Sequence, residues 1–132
     1  MREILFRGKT TLDNEWVIGA GVYKSEGNTW IITDDVTKTE NRGTGSDAIN
    51  PETVGQYTGL TDKNGKKIFE GDIMPVWENG EKYHYKVIYN GDCFMLSMLD
   101  SEQGSYPLSV KNSISEIIGN IHDNTELLKG GE

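Results

Sequence analysis

Trp77-Glu78-Asn79-Gly80-Glu81-Lys82-Tyr83-His84-Tyr85-Lys86-Val87-Ile88-Tyr89-Asn90-Gly91-Asp92-Cys93-Phe94-Met95-Leu96-Ser97-Met98-Leu99 holds two Asn-Gly pairs between apolar runs. Asn-Gly supplies the positive φ angles that type I′ turns need, so each pair predicts a hairpin where alternation flanks it. Between the pairs, Tyr83, Tyr85, Val87 and Tyr89 recur at every second residue and share one face of a strand. After the second pair, residues 93–99 are apolar on both faces, as in a buried strand. Ile73 to Trp77 leads into the first turn, and Pro75, which has no N–H to give a ladder, belongs at an edge or bulge. The stretch therefore reads as consecutive antiparallel strands, the pattern of a small barrel or roll.

Moving outward, residues 15–23 alternate as a strand, with Trp16, Ile18, Ala20 and Val22 on one side and Val17, Gly19, Gly21 and Tyr23 on the other. Ser25-Glu26-Gly27-Asn28 joins it to Thr29-Trp30-Ile31-Ile32-Thr33, which completes a hairpin. Residues 34–53 are polar, with Asn41-Arg42-Gly43-Thr44-Gly45-Ser46 and Asn50-Pro51, and read as an exposed loop. Structureless loops of that length are uncommon in compact domains, so part of it has room for a short helix or strand. A third Asn-Gly pair, Asn64-Gly65, marks another tight turn. Near the end, an apolar segment from Ile114 to Ile121 precedes Asp123-Asn124-Thr125-Glu126-Leu127-Leu128, which can cap one helical turn. The fold class is mostly β with a minor helical part. The expected division is a β-rich region over 1–60, carrying the loop 34–53, and a barrel region over 61–132.

The 132 residues, 35% hydrophobic and 26% charged, lie within the range of globular proteins. No stretch approaches the roughly 20 apolar residues of a spanning helix, and the run Ile4-Leu5-Phe6 is too short for the apolar part of a signal peptide. With Cys93 as the single cysteine, an intrachain disulfide framework and a Cys-rich zinc site are both excluded. A reducing, cytoplasmic setting is the simplest expectation. The net charge is −8, and dividing the chain after Lys66 leaves eight basic against ten acidic residues before and five against eleven after. Nucleic-acid binding draws much of its affinity from Lys and Arg on phosphates, so this balance weighs against a general nucleic-acid sheath.

Three blocks carry a resemblance. They are Met1-Arg2-Glu3-Ile4-Leu5-Phe6-Arg7, the central Gln56-Tyr57-Thr58-Gly59-Leu60-Thr61-Asp62-Lys63-Asn64-Gly65-Lys66-Lys67-Ile68-Phe69-Glu70-Gly71-Asp72-Ile73, and Glu116-Ile117-Ile118-Gly119-Asn120-Ile121-His122-Asp123-Asn124-Thr125-Glu126-Leu127-Leu128. Together they resemble the YopX family of phage and prophage proteins. The resemblance implies a phage or prophage protein whose C-terminal half is similar to SH3-type β-barrels and whose N-terminal half is β-rich. It transfers no catalytic or binding residues. The chain departs from the family pattern at Met74-Pro75, where members commonly continue an uninterrupted strand.

Several constellations invite a chemical reading, and each has a plainer one. Glu70 and Asp72 have the spacing of an acid/base pair or hard-metal site but also of turn residues at a strand entrance, and no third carboxylate is fixed beside them. Asp62, Asn64 and Gly65 match part of a calcium loop without its remaining ligands, so a hairpin turn is the better reading. Gly43-Thr44-Gly45-Ser46 lacks the Lys-Ser/Thr that completes a phosphate loop. His84, His122 and Cys93 supply types used in thiol catalysis, yet His84 and Cys93 sit in strand patterns and the segment is too acidic to favour a thiolate. No catalytic residue, cofactor or metal site is expected. The aromatics Trp77, Tyr83, Tyr85 and Tyr89 gather around one hairpin and are the candidate interaction surface, since small barrels bind peptides or stack bases on such surfaces.

The function expected from this reading is a non-enzymatic accessory protein that binds a host or phage protein or serves assembly. The alternative is a nucleic-acid-binding module with Lys82 and Lys86 on phosphates. Three tryptophans and six tyrosines are many large surfaces for so short a chain to bury. Two halves of about sixty residues are also marginal as separate cores, so a homo-oligomer is expected.

Overall fold

The computed structural model describes residues 3–33, 46–99 and 104–128. Just over half of them lie in antiparallel strands, and the chain divides into two units, Met1–Tyr57 and Thr58–Glu132. The mostly β class expected above is what the chain adopts.

The first unit contains β1 (Phe6–Lys9), β2 (Trp16–Gly19), β3 (Gly21–Ser25), β4 (Asn28–Ile32), β5 (Ser46–Ile49) and the start of β6 (Gly55–Thr61). β1 pairs with β2 along one edge and with Gly55 and Gln56 of β6 along the other. β3, β4 and β5 form a separate three-stranded sheet in that order. The alternating run 15–23 is thus not one strand: it bends at Ala20, and its two parts serve different sheets. Gly19 makes the bend possible. A Cβ there would run into the Ile32 carbonyl oxygen and would stand 2.6 Å from Ile31 Cγ2. The bend also changes which parity faces inward, since Val17 before it and Val22 after it join the same core with Ile31, Ile49, Phe6 and Val54.

The β3–β4 hairpin closes as expected through Glu26 and Gly27, both at positive φ. The polar segment 34–53, by contrast, is not all loop. Residues 34–45 lie outside the described residues, but Ser46–Ile49 is strand β5 and Pro51–Thr53 is one 3-10 turn. Asn50 caps that turn by accepting from the Glu52 N–H at 3.1 Å, and Pro51 occupies its first position, where a missing N–H costs nothing. The Lys9 N–H then donates to the Thr53 hydroxyl oxygen at 2.8 Å, tying the turn to β1. Polar composition concealed a strand whose one inward apolar residue is Ile49.

The second unit holds the rest of β6, then β7 (Lys67–Phe69), β8 (Asp72–Glu78), β9 (Glu81–Tyr89), β10 (Phe94–Met98), β11 (Gly104–Pro107), the short helix α1 (Leu108–Lys111) and β12 (Gly119–Asn120). Five strands form an antiparallel sheet of order β11-β10-β9-β8-β12. Its core is Ile68, Met74, Val76, Tyr85, Val87, Phe94, Leu96 and Leu108. Asn79 and Gly80 both take positive φ, as a type I′ turn requires, and Glu78 faces Glu81 across it. The second Asn-Gly pair works differently. Only Gly91 has positive φ, while the Asn90 side chain accepts from the Asp92 and Cys93 N–H groups, so the β9–β10 loop is longer and is built on an Asx turn. Cys93 is therefore an exposed loop residue rather than the first residue of a buried strand. Thr125–Leu128 forms a single 3-10 turn at the C-terminal end.

Pro75 lies within a continuous β8, opposite His84, so the strand is not interrupted at Met74-Pro75. β12 pairs only with Asp72 and Ile73, which leaves the side of Pro75 away from β9 beyond its end. There the Ser115 hydroxyl donates to the Pro75 carbonyl at 2.6 Å. The proline occupies a local margin inside a five-stranded sheet, where its missing N–H breaks no ladder bond.

Candidate binding surface

In the register of β8 and β9, Met74 faces Tyr85, Val76 faces Tyr83, and Trp77 faces Lys82. Side chains alternate, so Tyr83, Tyr85 and Val87 share the core face with Met74 and Val76, while Trp77 projects from the other face with Pro75, Lys82, His84 and Lys86. The four aromatics expected to make one surface are thereby divided. Tyr85 is core at 3% exposure, whereas Trp77 is 66% exposed. Tyr83 and Tyr89 lie toward the two ends of the inner face, where they emerge into solvent. The Tyr83 hydroxyl donates to Glu81 at 2.8 Å, a bond that, with the Glu81 charge, raises its pKa. Tyr89 leans on Phe94 at 4.9 Å between centroids and donates to the Gly91 carbonyl.

Trp77 borders a small cleft. β8 contributes Pro75 and Trp77, and the segment after β11 contributes Lys111, Ile114 and Ser115. Ile114 is also two-thirds exposed. The Lys82 ammonium lies 6.0 Å from the Trp77 ring centroid, within cation–π range. The cleft has an apolar floor with Lys111 at its margin.

A polar constellation that sequence reasoning missed sits at the inner end of the same hairpin. Glu78 Oε2 accepts from the Tyr85 hydroxyl at 3.0 Å and from the Tyr106 hydroxyl, and the Tyr85 and Tyr106 rings meet edge to face at 5.6 Å. The Lys111 ammonium stands 4.7 Å over the Tyr106 ring. Burial, together with the hydrogen bond and charge of Glu78, pushes the Tyr85 hydroxyl up to about 12. These contacts pin β8, β9, β11 and α1 to one another. The signal for them lay in Tyr106, in a segment with no evident alternation.

Of the other candidates, Asp62 is the most constrained. Its Oδ1 accepts from the N–H groups of Asn64 and Lys66, and its Oδ2 from that of Ile117, all between 2.9 and 3.0 Å. Burial alone raises this carboxyl, but the three N–H groups and the Lys66 charge outweigh it and hold the carboxyl below its ordinary 3.8. Asn64 and Gly65 complete the turn. Glu70 lies in the turn before β8, and Asp72, 2% exposed, accepts from the Phe69 N–H at 2.8 Å. Both motifs are turn architecture. Cys93 and His84 belong to opposite ends of the β9–β10 hairpin, roughly 17 Å of strand apart, and His122 follows β12. Cys93 instead donates to Met95 Sδ at 3.5 Å. Of Gly43-Thr44-Gly45-Ser46, only Ser46 lies among the described residues, where it begins β5. No group of three or more His, Cys, Asp or Glu able to hold a metal ion occurs among the described residues. No helix among them is long and apolar enough to cross a membrane.

The fold defines a two-unit antiparallel β protein. The chain belongs to the YopX family: the family described as "YopX protein" matches residues 5–129. A similar solved structure, the crystal structure of protein EF1440 from Enterococcus faecalis, is 24% identical in sequence. The match covers 98% of this chain and 100% of that one at a TM-score of 0.54, a likeness of fold. No curated protein matches.

Proposed function

We propose that this chain is a phage or prophage accessory protein of the bacterial cytoplasm that acts by binding a host or phage protein rather than by catalysis. The observation that carries the reading is Trp77. A tryptophan two-thirds exposed on a rigid hairpin, beside an exposed Ile114 and over a cleft floored by Pro75, is a surface left for a partner. Membership of the YopX family supports the phage setting. Affinity capture from host lysate, with and without phage infection, should recover a partner that is lost with Trp77→Ala. Capture of nothing above background in both lysates would sink the reading.

A second reading has its own observation: Lys82, His84 and Lys86 share the outer face with Trp77, an arrangement that suits a stacked base beside phosphates. Net charge opposes it. Gel retardation at low salt with single- and double-stranded DNA and RNA separates the two, because this reading requires a salt-sensitive shift. We further propose that the chain self-associates through a sheet edge left unpaired among the described residues, such as that of β11.

A further inference from the structure

We infer that the outer face of the three-stranded sheet β3-β4-β5 is a binding platform for an uncharged carbohydrate. In its register Tyr23 faces Trp30, Trp30 faces Ala48, and Ile32 faces Ser46. Alternation therefore sets Tyr23, Ser25, Asn28, Trp30, Ile32 and Ser46 on one face, with a glycine and an alanine filling the remaining positions. Every one of them is uncharged, on a chain where 26% of residues carry charge. Lys24 and Asp47 fall on the opposite face.

Two aromatic side chains extend along this face. Tyr23 on β3 donates through its hydroxyl to Ser46 Oγ on β5 at 3.1 Å. Those strands are roughly 10 Å apart, and Ser46 is two residues along from the position level with Tyr23, so the bond uses nearly the full reach of a tyrosine. The side chain therefore extends across β4. Trp30 is drawn the other way, its Nε1–H donating to the Ser25 carbonyl on β3 at 3.4 Å. The rings are 13° from parallel with centroids 6.3 Å apart, and Tyr23 is 41% exposed.

The chemistry of this face selects its ligand. Aromatic faces carry the negative side of the ring quadrupole, which attracts the weakly positive C–H groups on the flat side of a sugar ring. Ser25, Asn28 and Ser46 at the margins offer the adaptable hydrogen bonds that sugar hydroxyls need. A phosphate-bearing ligand would find no cation among the described residues of the face and a net charge of −8 behind it. An organic cation prefers rings that enclose it, and these are nearly parallel. A second copy of the chain needs about 800 Å² per partner. The face spans roughly 14 by 17 Å, or about 240 Å². That is enough for one or two sugar rings and too little for a dimer.

The test is a residue-resolved NMR titration of the full chain with neutral cello-, malto- and chito-oligosaccharides. At least one should give saturable shifts at Tyr23, the Trp30 indole N–H and Ser46. Tyr23→Ala and Trp30→Ala should each weaken it at least about tenfold, whereas Trp77→Ala should leave it unchanged. Ser46→Ala, which keeps both rings but frees the Tyr23 hydroxyl, should weaken it a few-fold and guards against variants that fail to fold. The inference is overturned if none of the sugars shifts these residues up to about 10 mM. It is equally overturned if oligothymidylate binds the same residues more tightly, or if protein concentration alone moves them.

Discussion

At the residue scale, Asp62 and Tyr85 make opposite demands on pH. The Asp62 carboxyl is held below 3.8 in the folded chain, so its contribution is fully present above that value and is lost as pH falls through the folded value. Asp62→Asn keeps one acceptor oxygen but offers the Ile117 N–H a second donor. It should cost about 2 kcal/mol at neutral pH, as charge-assisted bonds of this kind do, and should flatten the acid limb of a urea-denaturation series. Tyr85 has the reverse sign. Its hydroxyl titrates near 12 when folded against 10 when unfolded, so stability is intact below 10 and declines as pH rises from 10 toward 12. Tyr85→Phe should remove that decline between pH 10 and 12 in thermal melts, at some cost to stability throughout, because Glu78 loses one of its two tyrosine donors. Trp77→Ala, in contrast, changes an exposed side chain and should alter stability by no more than about 0.5 kcal/mol, so that any loss of partner capture reports binding.

At the scale of the element, the bend between β2 and β3 is the most exacting point of the first unit. Gly19→Ala places a methyl group against the Ile32 carbonyl, and backbone has no rotamer by which to yield. We expect a loss of about 3 kcal/mol, seen as a lower urea midpoint. The same bend shows where sequence reading stops. The run 15–23 announced strand plainly, but alternation cannot show that a strand changes sheets, because that depends on how closely Gly19 can approach a strand met only later in the chain. Turn chemistry was legible where it is local, as at Glu26-Gly27 and Asn79-Gly80. It misled at Asn90, whose side chain bonds the backbone ahead of it. β5 escaped notice because Ser46 and Asp47 have no apolar alternation of their own. The candidate surface was legible in part: the hairpin and its aromatics were found, but the division of Trp77 from Tyr85 follows from the register of two strands together.

For the whole molecule, two small units and sheet edges unpaired among the described residues favour a closed assembly of copies, and light scattering at micromolar concentration should give a mass above 14.7 kDa. A mass at that value across the range would remove the proposal. Where copies can join is restricted by Pro75. On the side where β12 ends, β8 offers an incoming strand a position with no N–H and a carbonyl already engaged by Ser115. A strand added there would forfeit bonds at its first step. Pro75 thus acts as a gatekeeper against runaway strand addition on a strand with an apolar middle, and Pro75→Val should make the chain aggregate more readily on refolding while scarcely changing the native hairpin.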